Sequence, residues 1–210
     1  MSVNARNKNL SVTPPVTNTI AKAAWQDLIN QIRLLETENK NLREKVYSLE
    51  NQVRIDGLTK VETREYGMTY LEMSLKNEQL TSLGLVFIDV DHLKTINDTE
   101  GHVVGDEVLS YVGSALTRFK KPSESISRFG GDEFLAVLPN ATHQEINVWC
   151  TQLHETLAKQ RLPFARPSLS ITVTTGNYVY NMKGDEKLTS KQLLSLVDLD
   201  MYQKKGARHR

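Results

Sequence analysis

The sequence predicts an α/β domain, a mixed sheet flanked by helices, preceded by a long helix that forms a parallel coiled coil. Three observations carry this. Apolar residues between positions 21 and 53 recur at alternating spacings of four and three, which is the heptad of a coiled coil. From residue 56 onward, short apolar or alternating runs of strand length are interleaved with amphipathic stretches of helical period, the pattern of a sheet covered by helices. Two of the short runs, 124–127 and 135–138, flank Arg128-Phe129-Gly130-Gly131-Asp132-Glu133-Phe134, and a Gly-Gly pair between β-prone runs reads as a hairpin whose tip permits positive φ.

Residues 1–19 are polar, contain Pro14-Pro15 and show little periodicity, so they are expected to form a disordered lead. Residues 20–55 are the coiled-coil segment. Trp25, Ile32, Asn39, Val46 and Val53 fall at heptad position a, and Leu28, Leu35, Leu42 and Leu49 at d. β-branched residues at a with leucine at d favour a parallel dimer, and a single Asn at a helps to set register. Glu38 would face Arg43 of a second copy, and Lys45 would face Glu50. An amphipathic helix lying on its own domain would not need such matched charges on both sides of its stripe.

Asp56-Gly57 ends the helix and opens a domain over 56–210. A helix is expected over 61–79 with Met68, Leu71 and Leu75 inward, then an apolar strand from Leu83 to Asp89. A short turn over 92–98 leads to a helix over 105–119 with Val108, Leu109, Val112 and Leu116 on its apolar face. After the hairpin come a helix over 142–160, a β pair around 169–180 and a final helix over 189–205. Cys150, the one cysteine, sits in helical pattern as a core residue and has no partner for a disulfide within the chain.

Charged residues make up 24% of the chain and its formal net charge is +1, so neither nucleic acid nor an anionic membrane is indicated as the main partner. No apolar run approaches the ~20 residues that span a bilayer, and the N-terminus lacks a secretory apolar core. A cytoplasmic location is expected. The chemistry must therefore be local. The strand from Leu83 ends in Asp89 and Asp91, two residues apart and so on one side, while the hairpin presents Asp132 and Glu133. Two strands can thus bring carboxylates to one point, and hard oxygen ligands there suit Mg²⁺ or Mn²⁺ carrying nucleotide phosphates.

Four stretches in order, Asp56-Gly57-Leu58-Thr59, the run from Asp89 to Asp98, Gly101-His102-Val103-Val104-Gly105-Asp106, and Ser127 to Phe134, resemble the GGDEF-domain diguanylate cyclases. These condense two GTP into cyclic di-GMP and release pyrophosphate. The resemblance covers about residue 56 to the C-terminus. It implies the palm-like fold shared by nucleotide cyclases and polymerases and a part in second-messenger signalling, to which the coiled coil adds a parallel homodimer and a route for an upstream signalling partner. It also implies that Asp89, the Val90 carbonyl, Asp132 and Glu133 serve the metal, and that one hairpin acid takes the 3′-hydroxyl proton. The backbone amides of His92 and Leu93, together with Lys94 and Lys205, would hold phosphates. Asn97 and Asp106 match the base-reading pair: a carboxylate accepts from both N1–H and the 2-amino group of guanine, whereas adenine offers an acceptor at N1. N-capping is the alternative role for Asp106. His102 would orient the loop, Arg128 would brace a phosphate or the hairpin, and Gly130 and Gly131 would admit the substrate.

The chain departs from the family pattern in three places. Lys60, Val61 and Thr63 replace Gly, Leu and Asn after the opening motif, leaving Arg64. His209 occupies the slot of a phosphate-binding arginine, with Arg208 and Arg210 beside it. The family's inhibitory product site, Arg-x-x-Asp, reads Lys121-Pro122-Ser123-Glu124, and a lysine cannot make the planar bidentate contact of arginine. Two other readings compete: a nucleotide-sensing module with little catalysis, and a coiled-coil adaptor.

Overall fold

The computed structural model describes residues 19–52, 54–159, 171–184 and 186–208. They fall into two compact units divided between Glu50 and Asn51. The expected lead, apart from Thr19, lies outside the described residues.

In the first unit, α1 (Thr19–Gln52) is one uninterrupted helix. Trp25 is half-buried, while Leu28, Ile32, Leu35 and Leu42 are 46%, 47%, 62% and 56% exposed. The apolar stripe is thus present and open, compatible with a coiled coil. Arg43 Nε donates to Asn39 Oδ1 of its own helix at 3.1 Å. The side chains of Val46, Leu49 and Val53 lie outside the described residues. No helix among the described residues is long and apolar enough to cross a membrane.

The second unit runs β1 (Glu62–Thr63), α2 (Arg64–Leu75), β2 (Ser82–Val90), α3 (Leu93–Glu100), α4 (His102–Phe119), β3 (Ser125–Arg128), β4 (Glu133–Pro139), α5 (His143–Lys159), β5 (Val173–Asn181) and α6 (Ser190–Arg208). Its sheet has the order β1-β3-β4-β2-β5. β1 is parallel to β3 and every other pairing is antiparallel. The expected mixed sheet flanked by helices is therefore found, with the hairpin at β3–β4.

The pleat of β2 divides the core. Val86, Ile88 and Val90 join one cluster with Val108, Val112, Trp149, Cys150 and Leu153 of α4 and α5. Leu83, Leu85 and Phe87 join a second with Leu71 of α2 and Leu193, Val197 and Met201 of α6. β4 alternates likewise, Phe134 and Ala136 to the first cluster and Leu135 and Val137 to the second. α5 and α6 start with reciprocal capping boxes. Glu145 N donates to Thr142 Oγ1 and Thr142 N to Glu145 Oε2, and the same exchange links Gln192 and Thr189.

Several boundaries differ from the sequence reading. Residues 61–63 are not helical because Glu62 and Thr63 pair with Ser127 and Arg128; in α2, Leu71 is buried while Met68 and Leu75 are half-buried. The expected turn at 92–98 is the helix α3, whose weak formers are held by burial of Leu93 and Ile96. α4 begins at His102 rather than at 105, since Gly105 lies inside it against α3. In place of a β pair around 169–180 the described residues hold one strand, β5, with Ile171 and Thr172 outside it and Leu169 and Ser170 beyond the described residues.

Glu62 is 2% exposed yet well partnered. It accepts from Lys120 Nζ at 2.7 Å, Ser125 Oγ at 2.6 Å, Arg54 Nη2 at 3.0 Å and Ile126 N at 3.1 Å. Burial would push its carboxyl up, but the hydrogen bonds from Lys120, Ser125 and Arg54 outweigh burial and hold it below its ordinary value. A carboxylate depressed in the folded state stabilises the fold above its ordinary value, about 4.3 for Glu, and that contribution is lost as pH falls through the folded value. Glu62→Gln should lower neutral-pH stability by about 2 kcal/mol and flatten the decline below pH ~4. Denaturant titrations of both proteins between acid and neutral pH check this, and parallel pH curves would refute it.

Candidate active site

The strand register assembles the site. Asp89, at the end of β2, lies directly opposite Glu133, the first residue of β4. Both are odd-numbered continuations of the face packed against α2 and α6, so their side chains leave the sheet on the same side. From α6, Lys205 Nζ lies 2.7 Å from Asp89 Oδ2. Burial pushes the Asp89 carboxyl up against the opposing Lys205 contact. Glu133 is raised by burial and then by the Asp89 and Asp132 carboxylates, with Asp198 of α6 adding to them. Asp132 is half-buried at the turn, and its carbonyl accepts from Val90 N at 3.1 Å. Asp91 is engaged elsewhere: Thr174 Oγ1 donates to its Oδ1 at 2.6 Å, and its own N–H donates to Thr172 O.

The hairpin tip is braced from outside. Arg128 donates to Gly130 O at 3.2 Å, Gly131 O at 2.8 Å and Asp56 Oδ1 at 3.3 Å. Arg128 thus braces the hairpin in the absence of a ligand. Asp56 also accepts from Thr59 N and Oγ1, which gives the opening motif its fold. Sequence reasoning missed a second brace: Arg64 stacks over the Phe129 ring at 4.4 Å, and Phe87 meets the same ring edge-on at 5.2 Å. Neither Gly130 nor Gly131 has a positive φ, contrary to the reason given for them above. A Cβ on Gly130 would lie 2.7 Å from Glu133 Oε2, while one on Gly131 would meet nothing within 4 Å. A side chain at Gly130 would displace the Glu133 carboxylate packed on it, and Gly131 leaves open space at the tip.

Beyond β2, His92 adopts a left-handed conformation at the N-terminus of α3, so the first amides of α3, with exposed Lys94 one residue in, face outward from the strand end. Asn97 on α3 is half-buried and Asp106 on α4 is exposed. Asp106 does not cap α4, whose N-cap is Gly101. His102 is exposed as the first residue of α4. Asn97 Oδ1 is buried without a hydrogen-bond partner and sits where a Cβ on Gly105 would be, at 1.8 Å. A cavity of about 540 Å³ opens at Lys205, lined also by Asp91, His92, His154 and Thr174. Arg208 is the last residue of α6, with its side chain outside the described residues, as are His209 and Arg210. The loop before β3 is self-closed: buried Glu124 accepts from Lys121 N at 2.8 Å and lies 3.7 Å from its ammonium.

Among the described residues no three His, Cys, Asp or Glu side chains are gathered tightly enough to enclose a metal ion. A hard divalent cation in a nucleotide site takes few protein oxygens and completes its shell with phosphate and water. The facing Asp89 and Glu133, both with raised carboxyls, are an oxygen set short of positive charge, so the residues fit such an ion.

The family model described as diguanylate cyclase, GGDEF domain, matches residues 53–210. Diguanylate cyclase DosC of Escherichia coli is 31% identical over 155 residues, 72% of this chain and 33% of its own length. The cyclic di-GMP phosphodiesterase NbdA of Pseudomonas aeruginosa is 28% identical over 191 residues, 88% of this chain and 24% of its own length. The chain thus spans a third or less of these curated relatives. The GGDEF domain of PA1120 from Pseudomonas aeruginosa superimposes with a TM-score of 0.65 at 29% identity, covering 73% of this chain and 89% of that one. The coiled coil and GGDEF domain of DgcB from Caulobacter crescentus, at 24% identity and a TM-score of 0.68, covers 86% of this chain and 95% of that one, and shows the same fold.

The brace makes a structural prediction. Arg128→Lys keeps the charge, but one ammonium cannot span two carbonyls and a carboxylate in the fork geometry of guanidinium. Amide hydrogen exchange at residues 129–132 should quicken by about tenfold while global stability changes little, since local opening is read separately from global unfolding. Exchange mass spectrometry of the two proteins checks this; unaltered exchange at the tip would show that the brace is idle.

Proposed function

Because this chain belongs to the family of GGDEF-domain diguanylate cyclases, we propose that it condenses two GTP into cyclic di-GMP as a homodimer in second-messenger signalling. The observation that carries the reading is the facing pair of Asp89 and Glu133 at the strand ends, beside a turn left open at Gly131. Asp89, the Val90 carbonyl, Asp132 and Glu133 would hold a divalent cation, Mg²⁺ or Mn²⁺, which would neutralise charge on the triphosphate when bound. The His92 and Leu93 amides, Lys94 and Lys205 take the phosphates. Asn97 and Asp106 read guanine from α3 and α4, and the absence of a side chain at Gly105 leaves room for the Asn97 amide. The 3′-oxygen of one GTP attacks the α-phosphorus of the other, and the bond to pyrophosphate breaks. The attacking hydroxyl gives its proton to a hairpin carboxylate.

Asp132→Asn and Glu133→Gln should each lower cyclic di-GMP formation from GTP and Mg²⁺ by about a hundredfold or more, with the fold intact. Chromatography of the products checks this. Near-native turnover in both would overturn the site, and GTP binding by the native chain without turnover would favour a sensing module.

The product joins two nucleotides with twofold symmetry, so two sites must meet, each offering its 3′-hydroxyl to the other's α-phosphate. The 34-residue α1 extends about 50 Å at 1.5 Å per residue, and its exposed stripe is suited to a second copy in parallel register. Leu35→Lys with Leu42→Lys would bury like charges across that seam. The doubly substituted chain should sediment as a monomer, with specific activity far below native at nanomolar protein and rising with concentration. Sedimentation and turnover measured together decide this, and a fully active monomer would defeat the dimer.

A further inference from the structure

The Lys205–Asp89 contact has a meaning beyond phosphate binding. Asp89 is nearly covered, its side chain 11% exposed, whereas the Lys205 side chain is 37% exposed and reaches Asp89 at 2.7 Å. Among the described residues it is the one basic group in ion-pair contact with the facing acids. An ammonium at that distance from Oδ2 takes up one of the lone-pair sites open to a divalent cation, and a cation bound to the same carboxylate would be repelled by it. We propose that Lys205 is a stand-in cation: it holds Asp89 in the absence of nucleotide and gives way only to a metal that arrives with phosphates for the lysine to follow. This rests on reading the site as one for a metal-bound nucleotide.

The backbone anchor makes such a handover feasible. A Cβ on Gly176 of β5 would lie 2.5 Å from Met201 Cβ, Met201 N and Val197 O, so α6 lies directly on β5 one turn before Lys205. The neighbouring Lys204 is held at 2.7 Å by Asp200, whose Oδ2 also accepts from Asn177 N at 2.7 Å. The root of Lys205 is therefore fixed while its four-carbon stem can turn from carboxylate to phosphate. A metal coming alone would have to expel the ammonium into solvent, losing its ion pair. A metal coming with a triphosphate supplies the ammonium with a new anion. Metal and nucleotide affinities must then reinforce each other, and by linkage the effect is reciprocal.

The test is Mn²⁺ binding by the full chain, followed by the loss of the free-ion signal in electron paramagnetic resonance, with and without a non-hydrolysable GTP analogue. Lys205→Met, which keeps the stem and removes the charge, should bind Mn²⁺ alone about tenfold more tightly than the native chain, within the usual range of coupling factors. The improvement brought by the analogue should shrink correspondingly. Lys205→Arg, retaining the charge, should bind Mn²⁺ alone as weakly as the native chain, which separates charge from any disturbance of α6. Equal or weaker Mn²⁺ binding by Lys205→Met, with analogue-dependent binding still removed by Asp89→Asn, overturns the stand-in role and leaves the metal site standing. Absence of Mn²⁺ binding by the native chain even with the analogue overturns both.

Discussion

Asp89 and Glu133 oppose each other on one face of the sheet, two like charges at the ends of strands that are otherwise apolar. Direct opposition of like charges is unfavourable, and the domain holds it by force of register. At about 5 Å, with an effective dielectric of about 20, such a pair repels by about 3 kcal/mol. Against it stand Leu83, Leu85, Val86, Phe87, Ile88 and Val90 of β2, all buried, each contributing about 1.5–3 kcal/mol. A slip of one residue would relieve the acids but exchange the two apolar faces of β2, setting side chains shaped for α4 and α5 against α2 and α6 and the reverse. Packing therefore wins, and the residual repulsion is available to attract a cation.

The surrounding parts answer to that pair. Gly130 lets the hairpin backbone pass beside the Glu133 carboxylate, and Gly176 lets α6 lie close enough to β5 for Lys205 to reach Asp89. In both places the missing side chain matters because of what is packed on it, not because of an unusual φ. Arg128 then fixes the tip by gathering its two glycine carbonyls and tying them to Asp56. The opening motif and the hairpin are thus structurally linked: one supplies the carboxylate that the other's guanidinium contacts.

Much of this was legible in the chain. The apolar run into Asp89, the Gly-Gly turn and the helical stripes of α4 and α5 follow from period and local propensity, and they placed the acids at strand ends. What escaped were features set by tertiary contact. β1 is two residues long and is held by its pairing with β3 and its bridge to Ile55, and α3 is a helix of weak formers held by two buried side chains. The direction of Arg128 depends on Asp56, seventy-two positions away, a distance at which no local pattern speaks. The handover position of Lys205 depends on the α6–β5 spacing, which the sequence encodes only as one glycine among eleven.

In α1 the relative size of two effects bears on assembly. Exposed ion pairs contribute about 0–1 kcal/mol, so charges such as Glu38 and Arg43 cannot by themselves hold two copies together. Covering a leucine or isoleucine contributes about 1.5–3 kcal/mol, and Leu28, Ile32, Leu35 and Leu42 are about half exposed or more in the single chain. Association should therefore come from the stripe, while charges and Asn39 decide orientation and register. Asn39 lowers the strength of the seam in exchange for that choice. In the single helix its side-chain oxygen already accepts from Arg43, so pairing must either keep that bond at the seam's edge or replace it across the seam. In the proposed dimer the residue that would set register is thus the one whose local partner competes with the second copy, which would make the middle of α1 the point where register is most readily changed.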